Sequence, residues 1–279
     1  MKNFLTETLG WLDLLAWLLV LAFFSGSALL FGGNLLSSLL GAGGIIVEML
    51  LIAVAVEVII ECLKNRKGIG TLTGFITNGP EMVVLIVGLI IGDIIFAAST
   101  PLGSNFMNPL LLLLAALLCH RLGKTLKTRP SYFLATMFTT SALAGSFFLL
   151  EESTYYLWLA ISIICTIFLF TIRPKETQEQ PHELHSFNPN LWLAPAVILL
   201  TAAGYCLDPV VSYTAENSHT PKGVIGFFVL STLTSWPEFK SCLALLKRDR
   251  HLSAILNIAV SNITNIWLAV AGIITYLSL

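Results

Sequence analysis

Apolar runs long enough to cross a bilayer dictate what this chain can become. A membrane-spanning helix needs about 20 apolar residues. Nine stretches approach that length, over roughly 9–31, 44–63, 69–92, 94–120, 131–149, 155–172, 191–211, 222–246 and 252–278. Only 11% of the 279 residues are charged, against about 25% in a soluble domain. The expected fold class is therefore an all-α membrane protein of about nine transmembrane helices. A net charge of −1 gives no case for a nucleic-acid partner. Cys62, Cys119, Cys165, Cys206 and Cys242 lie in apolar stretches without metal-ligand spacing, and they read as small apolar residues. Residues Met1 to Glu7 carry one lysine, and no small-residue cleavage site follows the first apolar run, which reads as a span.

Lys and Arg set the orientation. With nine spans, the N-terminal side holds Lys2, Lys64, Arg66, Lys67, Arg121, Lys124, Lys127, Arg129, Arg173, Lys175, Lys247, Arg248 and Arg250. The opposite side holds only Lys222, and Lys240 falls inside a helix. The expectation is an integral protein of a bacterial inner membrane, with its N-terminus cytoplasmic and its C-terminus external. The longest connection, Arg173 to Asn190, is polar and separates six helices from three.

One polar pattern occurs twice. Thr77-Asn78-Gly79-Pro80-Glu81 is followed by Ser104-Asn105-Phe106-Met107-Asn108. Thr234-Ser235-Trp236-Pro237-Glu238 is followed by Ser261-Asn262-Ile263-Thr264-Asn265. Glutamate and final asparagine are 27 positions apart in both, and every matched position is offset by 157. Under the nine-span topology the two glutamate helices run in opposite directions. Inverted repeats with broken helices meeting near the midplane are a recurring plan of secondary transporters.

The residue types suit a hard cation. A carboxylate at the bilayer centre costs roughly 2.5–3.5 kcal/mol on insertion scales, so two of them need compensation. Pro80 and Pro237 lack an N–H and disrupt the bond to the carbonyls of Ile76 and Leu233. Freed carbonyls at membrane depth are tolerated where they line a cavity. Carboxylate, hydroxyl, amide and backbone oxygens match Ca²⁺ and offer no soft ligand for zinc or copper. Single Ser, Thr or Asn residues often only join helices, and a proline often only kinks one. Duplication of the whole set with its glutamates favours a site.

These residues resemble the α-repeats of the sodium/calcium exchanger family, within the cation/calcium antiporter group. There a Gly-Thr-Ser-x-Pro-Glu element pairs with a Gly-Ser-Asn-x-x-Asn or Asp element in two inverted copies. The resemblance covers about residues 44–278. It implies a secondary antiporter exchanging Ca²⁺ for Na⁺ or H⁺, with Glu81 and Glu238 as central ligands. Thr77, Asn78, Thr234 and Ser235 would flank them, with Ser104, Ser261, Asn108 and Asn265 on adjacent helices. Backbone carbonyls of Gly74 and Ser231 would complete the set. This sequence departs at Ile76, Leu233 and Val260, where the family has glycine, and at Asn78, where serine is usual. Ser99 and Thr100 replace a Gly-Asn pair. Asn108 and Asn265 are both amides where many sodium-coupled members have one acid, which makes protons a serious alternative as the coupling ion.

The expected organisation is an extra N-terminal transmembrane helix within 1–43, a first repeat of five helices at 44–172 and a cytoplasmic loop at 173–190. A second repeat, truncated to three helices, occupies 191–279. The implied partners are the lipid bilayer and inorganic cations, with a homodimer as one source of additional packing. No cofactor is expected beyond the transported ions. The sequence contains no nucleotide-binding loop and no nucleophile with a base, so no enzyme is expected. A second function class stays open: a non-transporting ion-binding or structural membrane protein that keeps the exchanger fold. An uncoupled channel is a third.

Some charged residues fall outside the motif. Glu48 and Glu57 are two and a half turns apart, on largely opposite faces of one helix. Glu61 is placed to pair with Lys64 at the cytoplasmic end. Lys240 points about 200° away from Glu238 on a continuous helix, where snorkelling is the expected behaviour. His182 and His185 read as residues of a solvated loop, and Asp93 and Asp208 as interfacial.

Overall fold

A computed structural model describes residues 10–91, 94–176, 188–220, 233 and 235–278. Among these residues every regular element is a helix. The helices are α1 (Trp11–Phe31), α2 (Leu35–Leu63), α3 (Ile69–Ile76), α4 (Gly79–Ile91), α5 (Ile94–Leu118), α6 (Leu122–Lys127), α7 (Pro130–Phe147), α8 (Tyr155–Thr171), α9 (Pro189–Asn217), α10 (Trp236–Lys247) and α11 (His251–Ser278). A short 3₁₀ turn, Glu152–Thr154, precedes α8. Among the described residues, seven helical segments are long and apolar enough to cross a membrane, with α3 and α4 counted as one. The helix α7 is not among the seven; Thr136, Thr139, Thr140, Ser141 and Ser146 make it more polar. In α10 the described helix has 12 residues, and 221–232 lie outside the described residues.

Two boundaries differ from the sequence expectation. The helix α2 begins at Leu35 rather than near 44, with Asn34 as its N-cap accepting the Ser37 N–H. Gly41, inside this extension, is a packing site: a Cβ there would collide with Thr214 of α9. The helix α9 continues past 211 to Asn217, where the Asn217 carbonyl accepts the Asn34 N–H at 2.8 Å. Asp208 therefore lies within α9 rather than near its end. The tight pairing of α2 with α9 forms one side of the core.

The other main seam joins α3 to α11. Gly70 and Gly74, one turn apart, face Ser253 and Asn257, and a Cβ at Gly74 would sit 2.5 Å from the Asn257 carbonyl. Close backbone approach through small residues is the usual means of packing membrane helices. Glu176 closes the start of this seam. Its carboxylate accepts the backbone N–H groups of Gly70 (3.0 Å) and Thr71 (3.2 Å) and the Ser253 hydroxyl (2.6 Å).

Basic side chains gather at one end of the bundle. Arg248 pairs with Glu57 and, at 3.6 Å, with Glu61. Lys64 pairs with Glu61 at 2.7 Å, as the sequence leads one to expect. Arg250 donates to the Lys64 carbonyl at 2.8 Å, and Arg121 and Lys124 face Asp249. Hydrogen bonds from His251 and the charges of Arg121 and Lys124 hold the Asp249 carboxyl below its ordinary pKa.

Candidate cation site

Both glutamates occupy the same local position. The α3–α4 helix breaks at Thr77 and Asn78, Pro80 is the second residue of α4, and Glu81 lies in its first turn. Ser235 precedes α10, Pro237 is its second residue, and Glu238 lies in its first turn. Proline is favoured there because the first-turn N–H groups have no intrahelical acceptor. A carboxylate in a first turn also gains from the positive end of the helix dipole. Glu81 and Glu238 are only 5% and 1% exposed, and they are close enough to interact electrostatically.

The asparagines of α5 and α11 link the two motif copies. Asn105 Nδ2 donates to the Asn262 carbonyl at 3.2 Å, and Asn262 Nδ2 donates to the Asn105 carbonyl at 3.3 Å. Asn108 Nδ2 donates to Asn262 Oδ1 at 2.9 Å, and Asn265 Nδ2 donates to Asn105 Oδ1 at 3.2 Å. Each final asparagine thus bonds to the central asparagine of the other copy.

Asn78 and Ser261 attach this seam to a glutamate. Asn78 Nδ2 donates to the Ser261 carbonyl at 2.9 Å. The Ser261 hydroxyl lies 2.9 Å from Asn78 Oδ1 and 3.1 Å from Glu238 Oε1, with one proton to give. Asn108 Nδ2 also reaches this hydroxyl, at 3.2 Å. The Thr77 hydroxyl is buried without a hydrogen-bond partner.

Several oxygens have no protein donor. Glu81 Oε2, Glu238 Oε2, Asn108 Oδ1, Asn265 Oδ1 and Ser235 Oγ are all buried without a hydrogen-bond partner. Leaving a buried acceptor unmade costs about 1–3 kcal/mol, and more for a charged group. Four of these oxygens form two pairs related by the motif repeat, Glu81 with Glu238 and Asn108 with Asn265. Such a set can accept a hard cation or protons on the carboxylates.

No family model, curated protein or solved structure matches this chain.

Among the sequence-predicted residues, Thr77, Asn78, Glu81, Ser104, Asn108, Ser235, Glu238, Ser261 and Asn265 are all buried. Gly74 is buried in the α3–α11 seam, where its missing side chain permits the contact. Thr234 and Ser231 lie outside the described residues, as do His182, His185 and Asp93. Among the described residues no group of three His, Cys, Asp or Glu side chains could hold a metal, so a cation here would rely on two carboxylates and neutral oxygens.

Two residues beyond the predicted ligand set shape the surroundings. Asn257 Nδ2 donates to Ser241 at 2.6 Å, one turn before Ser261. Lys240 does not snorkel to water: it is 7% exposed and its Nζ lies 2.7 Å from Asp13 Oδ1 on α1. A distant Asp–Lys pair leaves no periodic signal in sequence. The one available clue was an acid near the start of the first span.

Proposed function

We propose that the protein is a secondary cation antiporter of the sodium/calcium exchanger type. It would exchange Ca²⁺ or a related cation for Na⁺ or H⁺, binding the ion between Glu81 and Glu238. The observation that carries this reading is the repeat-related set of buried, unpartnered oxygens on Glu81, Glu238, Asn108 and Asn265. The coupling ion competes for the same carboxylates, so loading with one ion displaces the other. Nine spans in two inverted copies, a cytoplasmic N-terminus and a bacterial inner membrane complete the reading, which the basic end of the bundle favours. Rocking of the helices around a fixed site would expose it to alternate sides.

Gradient-driven Ca²⁺ uptake into proteoliposomes tests the proposal. Uptake under an outward Na⁺ or H⁺ gradient is expected, and folded protein that shows none under either gradient refutes it.

A second reading is a non-transporting ion-binding or structural membrane protein with the same arrangement. The Asn105–Asn262 seam favours it, because reciprocal bonds between the copies oppose their separation. Ca²⁺-dependent thermal stabilisation without flux selects this alternative.

A further inference from the structure

Lys240 lies two residues after Glu238 on α10, a position that places a fixed positive charge beside a proposed cation ligand. An ammonium there opposes any cation that Glu238 holds. Around the helix the two side chains diverge by about 200°, with a rise of about 3 Å between their Cα atoms. The Lys240 side chain meets Asp13, in the first turn of α1, at 2.7 Å.

The Asp13 carboxylate is fixed at both oxygens. Oδ1 accepts from Lys240, and Oδ2 accepts the backbone N–H of Gly10 at 2.9 Å. Asp13 is 4% exposed and Lys240 7%. Water therefore screens neither charge well, and a buried ion with its partner removed is costly. The contact joins the first helix to the helix that carries Glu238, across 227 positions of sequence.

We propose that Asp13 is a positioning residue for the cation site: it neutralises Lys240 and so sets how strongly the Glu81–Glu238 pair holds a cation. The first helix then contributes charge to the site as well as packing. This inference rests on the antiporter reading, since it requires a cation at Glu238.

The sign and the valence dependence follow from Coulomb's law. Asp13 Oδ1 lies 2.7 Å from Lys240 Nζ, so both charges are on the order of 10 Å from an ion at Glu238, given the helix geometry and side-chain length. At an effective dielectric of about 20, removing the Asp13 charge weakens binding of a monovalent ion by roughly tenfold. A divalent ion feels twice the energy, so its fold-change is the square, roughly a hundredfold. Screening and relaxation lower both numbers but keep that relation.

Equilibrium binding of Ca²⁺ and of Na⁺ to the full chain in detergent, at fixed ionic strength, reads this out. Asp13→Asn is expected to weaken Ca²⁺ more than Na⁺, with the Ca²⁺ fold-change near the square of the Na⁺ value. The double variant Asp13→Asn with Lys240→Met removes both charges and is expected to return both affinities to within about twofold of the parent. A merely structural contact would weaken both ions alike, and the double variant would not rescue them; either result overturns the inference. If Asp13→Asn fails to fold, Asp13→Glu and the double variant carry the test. Wild-type affinity for both ions must then be kept in each, and loss of Ca²⁺ affinity in the neutral double variant overturns the inference. Wild-type protein that binds neither ion refutes the cation-site reading itself, a result separate from any variant effect.

Discussion

Asn105 and Asn262, 157 positions apart, each donate a side-chain amide to the other's main-chain carbonyl, at 3.2 and 3.3 Å. Each is also the acceptor for the final asparagine of the opposite copy. The two motif copies thus meet through matched positions. Through Ser261, whose hydroxyl meets Asn108 Nδ2 at 3.2 Å and Glu238 Oε1 at 3.1 Å, this seam connects to one of the two glutamates.

Substituting either glutamate with its amide should remove transport. Glu81→Gln and Glu238→Gln keep the shape but withdraw the charge that holds the cation. Uptake should fall by about a hundredfold or more, in line with an intramembrane carboxylate being functional by default. Retained uptake in a folded variant, measured in proteoliposomes, refutes the assignment of that residue.

The asparagine seam should be energetically coupled. Asn105→Ala leaves buried groups on Asn262 and Asn265 without their partners, an expected loss of about 1–3 kcal/mol. Asn262→Ala and Asn108→Ala should each cost a similar amount, and because Asn108 Nδ2 donates to Asn262 Oδ1 their double variant should cost less than the sum of the two. Denaturation of the detergent-solubilised protein supplies the cycle; strict additivity contradicts the Asn108–Asn262 bond.

Gly74→Ala should separate α3 from α11. The added methyl would sit 2.5 Å from the Asn257 carbonyl and 2.9 Å from Val260 Cβ. Overpacking of this kind costs about 1–3 kcal/mol. It also moves Thr77 and Asn78, which follow directly in the chain, so ion affinity should fall together with stability. A fully stable variant with parental affinity shows that the seam is looser than described.

The Asp249 cluster should make a small, signed contribution to acid stability. His251, followed by Arg121 and Lys124, depresses the Asp249 pKa in the folded state. A depressed carboxylate stabilises the fold above its ordinary pKa and loses that contribution as pH falls through the folded value. The side chain is half exposed, so solvent screening keeps the effect modest. Thermal melts from pH 6 down to pH 3 should show a slightly weaker acid dependence in Asp249→Asn. An unchanged slope removes Asp249 from the account.

Much of the site was legible because the motif carries its own spacing. The constant interval from Glu81 to Asn108 and from Glu238 to Asn265 singled out residues that all prove to be buried. The Glu61–Lys64 pair was legible for a similar reason, since it is local. The start of α2 was not, because the Asn34 cap and the packing of Gly41 on Thr214 are seen only in the folded chain. Nor was the extension of α9 to Asn217, which runs through Pro209. Asp13 and Glu176 act across 227 and 106 positions, and only the folded chain brings such residues to their partners.

Glu176 has a practical consequence for anyone who would divide the protein. Its carboxylate belongs sequentially to the linker but structurally to both the first half-helix and α11. Two halves expressed as separate polypeptides should therefore be cut after residue 176. A fragment ending at Thr171 would leave the start of α3 uncapped, whereas one that includes Glu176 carries its own clasp for the other half.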